Sequence, residues 1–252
     1  MYTKFRRLYN LILFYLTKTN FIYTIYFNFK YLPYNQAKYF PIIIYPKTRI
    51  SINNKGKIVL GDVYNKKTSK KLHIGYTDDD FGYGCEKTSI KIIGTLFVKG
   101  KLLVLPGVKL DVRGILEIGD DVLIAARTRV SAYNKIEIGD GSRIAHESQI
   151  FDSNFHYIVD VNNRKYKPMS KPIYIGCYCW IGNRCTINSG SYLPDYTIVA
   201  SNSLVNKDFH DISKYTLLGG TPCKVIKEGI IRVFDPFLEM EYKKREFDWY
   251  NV

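Results

Sequence analysis

Residues 116–151 read LEIGDDVLIAARTRVSAYNKIEIGDGSRIAHESQIF. Within this stretch an aliphatic residue returns at every sixth position: Ile118, Ile124, Val130 and Ile136, then, after a step of two, Ile138, Ile144 and Ile150. The same beat runs upstream through Ile92, Val98, Val104, Leu110 and Leu116, and downstream through Ile175, Ile181, Ile187, Leu193, Val199 and Val205. All eighteen positions are Ile, Leu or Val, although these types make up only about a quarter of the chain. A half-buried strand alternates with period two and an amphipathic helix repeats with period 3.6. Period six instead requires a short flat strand and then a corner, repeated. Three such sides close a triangular coil of about eighteen residues, so the eighteen hexads predict about six stacked coils.

The other hexad positions agree. One residue after the aliphatic one stands a small residue, among them Gly119, Ala125, Gly139, Ala145, Gly176, Gly182 and Ala200, read here as the position that gives the corner its backbone freedom. Four residues after it stands another, including Ser142, Ser148, Cys179, Cys185 and Ser203. Cysteine there acts as a small hydrophobe.

Residues 173–227, IYIGCYCWIGNRCTINSGSYLPDYTIVASNSLVNKDFHDISKYTLLGGTPCKVIK, carry a more specific pattern. The stretch resembles the C-terminal half of the hexapeptide-repeat acetyltransferases of the maltose/galactoside and capsular-sugar type. In those enzymes an IG…WIG pair precedes a run ending in G-x-P-A and a basic residue. The resemblance extends over about residues 90–227. It implies an all-β solenoid, a left-handed parallel β-helix, since periodicity alone does not set the hand. It further implies acetyl-CoA as co-substrate, a sugar or saccharide acceptor, and a homotrimer with sites between subunits. Two departures stand out: GTPC at residues 220–223 replaces G-x-P-A, and VASNS at residues 199–203 replaces the usual glycine-containing run.

Around this domain, residues 42–227, the chain divides into an N-terminal basic, aromatic arm over 1–41 and a C-terminal segment over 228–252. In the arm, Phe5, Leu8, Ile12 and Tyr15/Leu16 have helical spacing beside Lys4, Arg6 and Arg7. This predicts a helix packed on the coil end or on a neighbouring subunit, or one held at a membrane surface. Residues 42–61 predict an early, irregular coil. Residues 63–89 read as an extruded loop. Asp235-Pro236 marks the start of a short C-terminal helix, expected to cover the open coil end.

The repeat breaks once more, at residues 152–172, and long irregular loops in compact domains lean towards function. At the base of this loop lies Asp152-Ser153-Asn154-Phe155-His156. By the resemblance, His156 is the catalytic histidine. Acetyl transfer to a hydroxyl needs a base that takes the hydroxyl proton during attack, and an imidazole suits that at neutral pH. Asp152 and Asn154 orient His156 or contact the acceptor, or else simply form the turn. His146, outward-facing, lines the same cleft or is solvated. The resemblance also places Trp180, Gly182, Ala200, Ser201 and Lys207 along the pantetheine slot, and Pro222 with Lys224 at its nucleotide end. A backbone N–H near Gly182 is the candidate oxyanion donor.

Composition sets limits on the alternatives. The 252 residues carry 37 Lys and Arg against 23 Asp and Glu, a net charge of +14, with 46% hydrophobic residues. Ten basic residues precede the first acidic one, Asp62. Such charge points to nucleic acid, an anionic membrane or an acidic substrate, but no nucleic-acid recognition motif accompanies it. The Leu11–Leu16 run is six residues long and soon meets Lys18, too short for a spanning helix. No Ala, Gly or Ser occurs in residues 1–36 to form a signal-cleavage site. Five cysteines without a disulfide framework fit a reducing cytoplasm. A zinc site is not expected, because His146 and His156 have no suitable third histidine upstream.

Overall fold

The computed structural model describes residues 6, 17–77, 84 and 86–247. All eighteen hexad positions point inward, and none is more than 2% exposed. The strands that carry them stack into three parallel sheets, the faces of a triangular prism. Face A runs from Ile42–Ile44 through Leu72–Ile74, Leu102–Val104, Val122–Ile124, Arg143–Ile144, Trp180–Ile181 and Ile198–Val199 to Thr216–Gly219. Face B holds Thr48–Ile52, Thr88–Ile92, Lys109–Val112, Arg129–Ala132, Gln149–Phe151, Thr186–Asn188 and Leu204–Val205. Face C holds Lys57–Leu60, Thr95–Val98, Ile115–Ile118, Lys135–Ile138, Ile173–Ile175 and Tyr192–Leu193.

Coil length differs from the expectation of eighteen. Leu102 lies beside Val122, and Leu123 beside Arg143, so these coils take twenty residues. Only further on, where Trp180 lies beside Ile198, does the coil shorten to eighteen. The two extra residues sit at the edge between faces B and C, at Arg113-Gly114 and Tyr133-Asn134. They explain the steps of two in the aliphatic beat at Ile118 and Ile138.

The small residue after each aliphatic one also has a different cause from the one expected. Left-handed backbone occurs two positions later, at Asp121 (φ 53°), Arg127 (φ 60°), Glu147 (φ 61°), Tyr178 (φ 54°) and Arg184 (φ 57°). The small residue is required by the next coil. A Cβ on Gly139 would lie 2.5 Å from the Cys177 backbone nitrogen, and one on Gly182 would lie 2.7 Å from that of Ser201. Close coil stacking, rather than backbone freedom, selects glycine here.

Residues 63–89 are not wholly an extruded loop. Leu72–Ile74 is a strand of face A between Ile42–Ile44 and Leu102–Val104, with Leu72 and Ile74 buried. Tyr64 is fully buried and its hydroxyl donates to the Gly100 carbonyl. Of the TDDDFGYG stretch, Asp78–Tyr83 lie outside the described residues.

A sheet edge exposes unpaired N–H and C=O groups and must be covered. At the N-terminal end this is done by helix Phe21–Tyr31, capped by Asn20, whose side chain accepts from the Tyr23 N–H. Asn28 Nδ2 donates to the Ile42 carbonyl (2.7 Å) while its Oδ1 accepts from the Ile42 N–H (3.1 Å), and Thr24 Oγ1 accepts from the Ile44 N–H (3.0 Å). Phe27 from this helix is completely buried in the core. The helix expected over Phe5–Leu16 lies, Arg6 apart, outside the described residues. At the other end, Lys224–Glu228 pairs antiparallel with Thr216–Gly219 and closes face A. The C-terminal helix Pro236–Glu246 does form, with Asp235 accepting from the Phe237 and Leu238 N–H groups, but it buries no residue. It is too polar to serve as the lid expected of it.

Because each inward side chain packs against those of the coils on both sides, truncation leaves a void that neighbours cannot fill. Ile144→Ala is expected to lower unfolding free energy by about 2–5 kcal/mol, read from urea denaturation. A loss below about 1 kcal/mol would contradict tight inter-coil packing at this level.

Candidate functional site

The edge between faces B and C is where the chain leaves the coil. In earlier coils the two corner amides bond to a main-chain carbonyl of the next coil: the Arg113 and Gly114 N–H groups both donate to the Ala132 carbonyl (2.8 and 2.9 Å). One coil later the acceptor is a side chain. Asp152 Oδ1 accepts from the Tyr133 N–H (2.8 Å) and Oδ2 from the Asn134 N–H (2.7 Å). Burial pushes the Asp152 carboxyl up, against the pull of the Tyr133, Asn134 and Lys135 amides. Its carboxylate thus replaces the carbonyl and frees the backbone to depart.

The ejected segment is a β-hairpin. A bridge between Ser153 and Ser170 closes its base, and Ile158–Val159 pairs antiparallel with Tyr166–Lys167. On return, the Lys171 N–H donates to the Asp152 carbonyl (3.0 Å) and to Ser189 Oγ (2.7 Å). At the start of the hairpin two side chains fold the turn locally. Ser153 Oγ accepts from the Phe155 N–H (3.0 Å), and Asn154 Oδ1 accepts from the His156 N–H (3.3 Å). Phe155 takes a left-handed conformation (φ 64°) and sets its ring edge-to-face on Tyr133 and Phe151. The next residue, His156, is thereby turned outward and exposed.

Asp152 is fully buried and both its oxygens are bonded to backbone amides, so its expected contact with an acceptor is corrected to a positioning role. Asn154 is exposed and shapes the turn. His146 does not join His156. It sits on the edge between faces A and B, where its carbonyl accepts from the Arg184 N–H (3.0 Å), and the two histidines occupy different edges of one chain.

The expected donor residues divide in a similar way. Gly182, Ala200 and Ser201 lie along the A–B edge, and Pro222 and Lys224 continue it in the last coil, where the Leu204 N–H reaches the Gly220 carbonyl (2.9 Å). The same edge carries an ion-pair chain in which Glu147 meets Arg184 (2.8 Å) and Arg127 (3.4 Å); Arg184 holds the Glu147 carboxyl below its ordinary value. Trp180 stands on face A with the Arg232 guanidinium over its ring at 5.2 Å, so the tail occupies part of its surface. Lys207 lies instead on the B–C edge, its ammonium over Phe209 at 4.9 Å. The Gly182 N–H donates to the Val199 carbonyl (2.8 Å) and Gly182 is buried. That amide is therefore committed to the coil and is not an oxyanion donor.

Between these two edges, face B bears a cleft of about 580 Å³ lined by Lys87, Lys91, Lys109, Arg129, Asp111, Phe151 and Phe155, among others. Sequence reading missed it. Its only signal was the twenty-residue spacing of Lys109 and Arg129, which places them side by side once the coil length is known. Among the described residues no group of three or more His, Cys, Asp or Glu side chains is placed to hold a metal ion.

A three-faced parallel coil of hexapeptide repeats is the architecture of the left-handed β-helix. The crystal structure of the polySia-specific acetyltransferase NeuO shares this fold with a TM-score of 0.51 at 20% identity, over 81% of this chain and 98% of that one. In sequence, the chain is 32% identical over 111 residues to galactoside O-acetyltransferase of Escherichia coli (strain K12), covering 44% of this chain and 43% of that protein. It is 28% identical over 120 residues to polysialic acid O-acetyltransferase of Escherichia coli O1:K1 / APEC, covering 45% and 38%. It is also 27% identical over 140 residues to a provisionally named lipopolysaccharide biosynthesis O-acetyl transferase, WbbJ, of strain K12, covering 48% and 66%. The chain thus spans 38% to 66% of the lengths of these curated relatives. No protein-family model matches it. The resemblance read from residues 173–227 is borne out by these O-acetyltransferase relatives.

Removing the Asp152 carboxylate leaves two part-buried corner amides without acceptors, a loss of up to about 1–3 kcal/mol each. Asp152→Ala is expected to lower the Tm and to speed proteolysis within residues 153–170. An unchanged Tm together with unchanged cleavage would show that the carboxylate does not anchor the hairpin.

Proposed function

We propose that the protein is an O-acetyltransferase that moves an acetyl group from acetyl-CoA to a hydroxyl of a sugar or glycan precursor, with His156 as general base. The observation that carries this reading is the outward presentation of His156 at the B–C edge, on a turn whose root is locked by Asp152. The O-acetyltransferase relatives supply the acyl chemistry. In the reaction the imidazole takes the acceptor hydroxyl proton as the oxygen attacks the thioester carbonyl. The carbon–sulfur bond then breaks, and the imidazolium returns the proton to the departing thiolate.

A single chain places His156 on one edge and Gly182, Ala200, Ser201, Pro222 and Lys224 on another. A cyclic trimer answers this: the His156 edge of one protomer faces the donor edge of the next, making three equivalent sites. The hairpin supports such packing, since Tyr157 is 70%, Tyr166 72% and Val161 85% exposed, apolar surface that favours a partner. Thiol release from acetyl-CoA across a panel of sugars, nucleotide sugars and lipid-linked saccharides tests the reaction. His156→Ala should cut acceptor-dependent release by about 100-fold or more with an unchanged Tm. Undiminished release would remove His156 from the mechanism.

The arm supports a cytoplasmic enzyme held at a membrane surface. Helix Phe21–Tyr31 exposes Ile22, Tyr26 and Phe29, with Lys18 and Lys30 nearby, the pairing of apolar face and cations that interfacial helices use. No helix among the described residues is long and apolar enough to cross a membrane. Wild-type protein should float with vesicles containing phosphatidylglycerol, and Ile22→Asp should float several-fold less. Equal flotation of the two would remove this helix as the contact.

A further inference from the structure

The cleft on face B is distinguished by its charge. Two ladders of outward side chains cross it in register: Ser89, Lys109, Arg129 and Gln149 in one, Lys91, Asp111, Ser131 and Phe151 in the other. Adjacent strands lie about 4.8 Å apart, so Lys109 and Arg129 stand as like-charged neighbours, an arrangement that costs stability unless something neutralises it. Lys87 and Lys91 add two more cations at the rim. None of the four forms an ion pair with a described residue. Among the described residues the one acid lining the cleft is Asp111, which already accepts through Oδ2 from Arg113 Nε (3.1 Å) and whose buried Oδ1 has no described partner. Elsewhere on the same coils cations are neutralised: Lys99 by Asp140, Lys101 by Asp121, Lys135 by Glu117 and Glu137. At its far wall the cleft ends on Phe151 and Phe155, and Phe155 immediately precedes His156.

From this we infer that face B is the acceptor-binding surface and that the acceptor is a negatively charged saccharide. Its carboxylates or phosphates lie across Lys91, Lys109 and Arg129, and a sugar ring rests against the two phenylalanines beside His156. The inference rests on the acetyl-transfer reading for its orientation, but the binding surface does not depend on that reading.

Equilibrium binding to the full chain, wild type and His156→Ala, tests it with three probes: oligogalacturonate (charge on carboxylates), UDP-glucose (charge on a diphosphate) and neutral maltohexaose. Oligogalacturonate, UDP-glucose or both should bind in a salt-dependent way to both proteins, and whichever binds identifies the source of the charge. The double variant Lys109→Gln/Arg129→Gln should weaken that binding by about tenfold or more, whereas Lys57→Gln on face C should leave it unchanged. Equal binding of charged and neutral probes, failure of both charged probes, or a double variant that binds like wild type would each overturn the inference. Charged-probe binding without thiol release from acetyl-CoA for any acceptor would sink the acetyl-transfer reading and leave the cleft standing. Acetylation of maltohexaose that the double variant performs undiminished would do the reverse.

Discussion

Successive coils lie one strand spacing apart, about 4.8 Å, and strand N–H and C=O groups find their partners in the coils on either side. The rest of the structure depends on that stacking. Side chains that point inward must be aliphatic and must meet their equivalents above and below, which is why the hexad residues are so uniformly buried. Corner residues must let the next coil approach, which is why a Cβ at Gly139 or Gly182 has no room. At the two ends no further coil supplies partners. Asn28 and Thr24 of the N-terminal helix supply them at one end, and an antiparallel strand does so at the other.

The stacking is interrupted at one corner. At the B–C edge the coil changes from twenty residues to eighteen, and a main-chain acceptor is missing for the Tyr133 and Asn134 amides. The Asp152 carboxylate fills the gap. With the corner satisfied by a side chain, the backbone can leave, form the hairpin and come back at Lys171 without an unpaired buried group. The same residue therefore completes the scaffold and fixes the root of the turn that presents His156. A rigid base beneath an exposed residue is what the general-base role proposed for His156 requires, because its position is then set by the scaffold rather than by the loop.

Legibility in the sequence varied with the range of the cause. The hexads were visible because one residue in six is dictated by the same local geometry in each coil. The steps of two at Ile118 and Ile138 were visible as well, but only the strand register shows them to be a longer corner. Leu72–Ile74 escaped notice because three residues between a lysine-rich stretch and the acidic, glycine-containing GYTDDDFGYG carry too little pattern to reveal a strand. Asp152 and Asn154 were singled out, yet a carboxylate near a histidine reads the same whether it faces an acceptor or the amides of Tyr133 and Asn134. The net charge of +14 drew attention to the arm, where the basic residues are dense in sequence, and away from face B, where they are dense only in space.

By itself the sequence determined that the chain is a coil of hexads, which residues fill it, and where it is broken, since periodicity is a property of neighbours along the chain. Its motifs carried the resemblance that singles out His156. Only the tertiary structure decided that His156 occupies a different edge from Gly182, Ala200, Ser201, Pro222 and Lys224, that Asp152 is bonded to the coil, and that Lys109 and Arg129 stand side by side without a counter-charge among the described residues. Those facts depend on which residues some twenty to forty positions apart are stacked together. They depend equally on whether each polar group meets a partner there, and both are settled by packing in three dimensions.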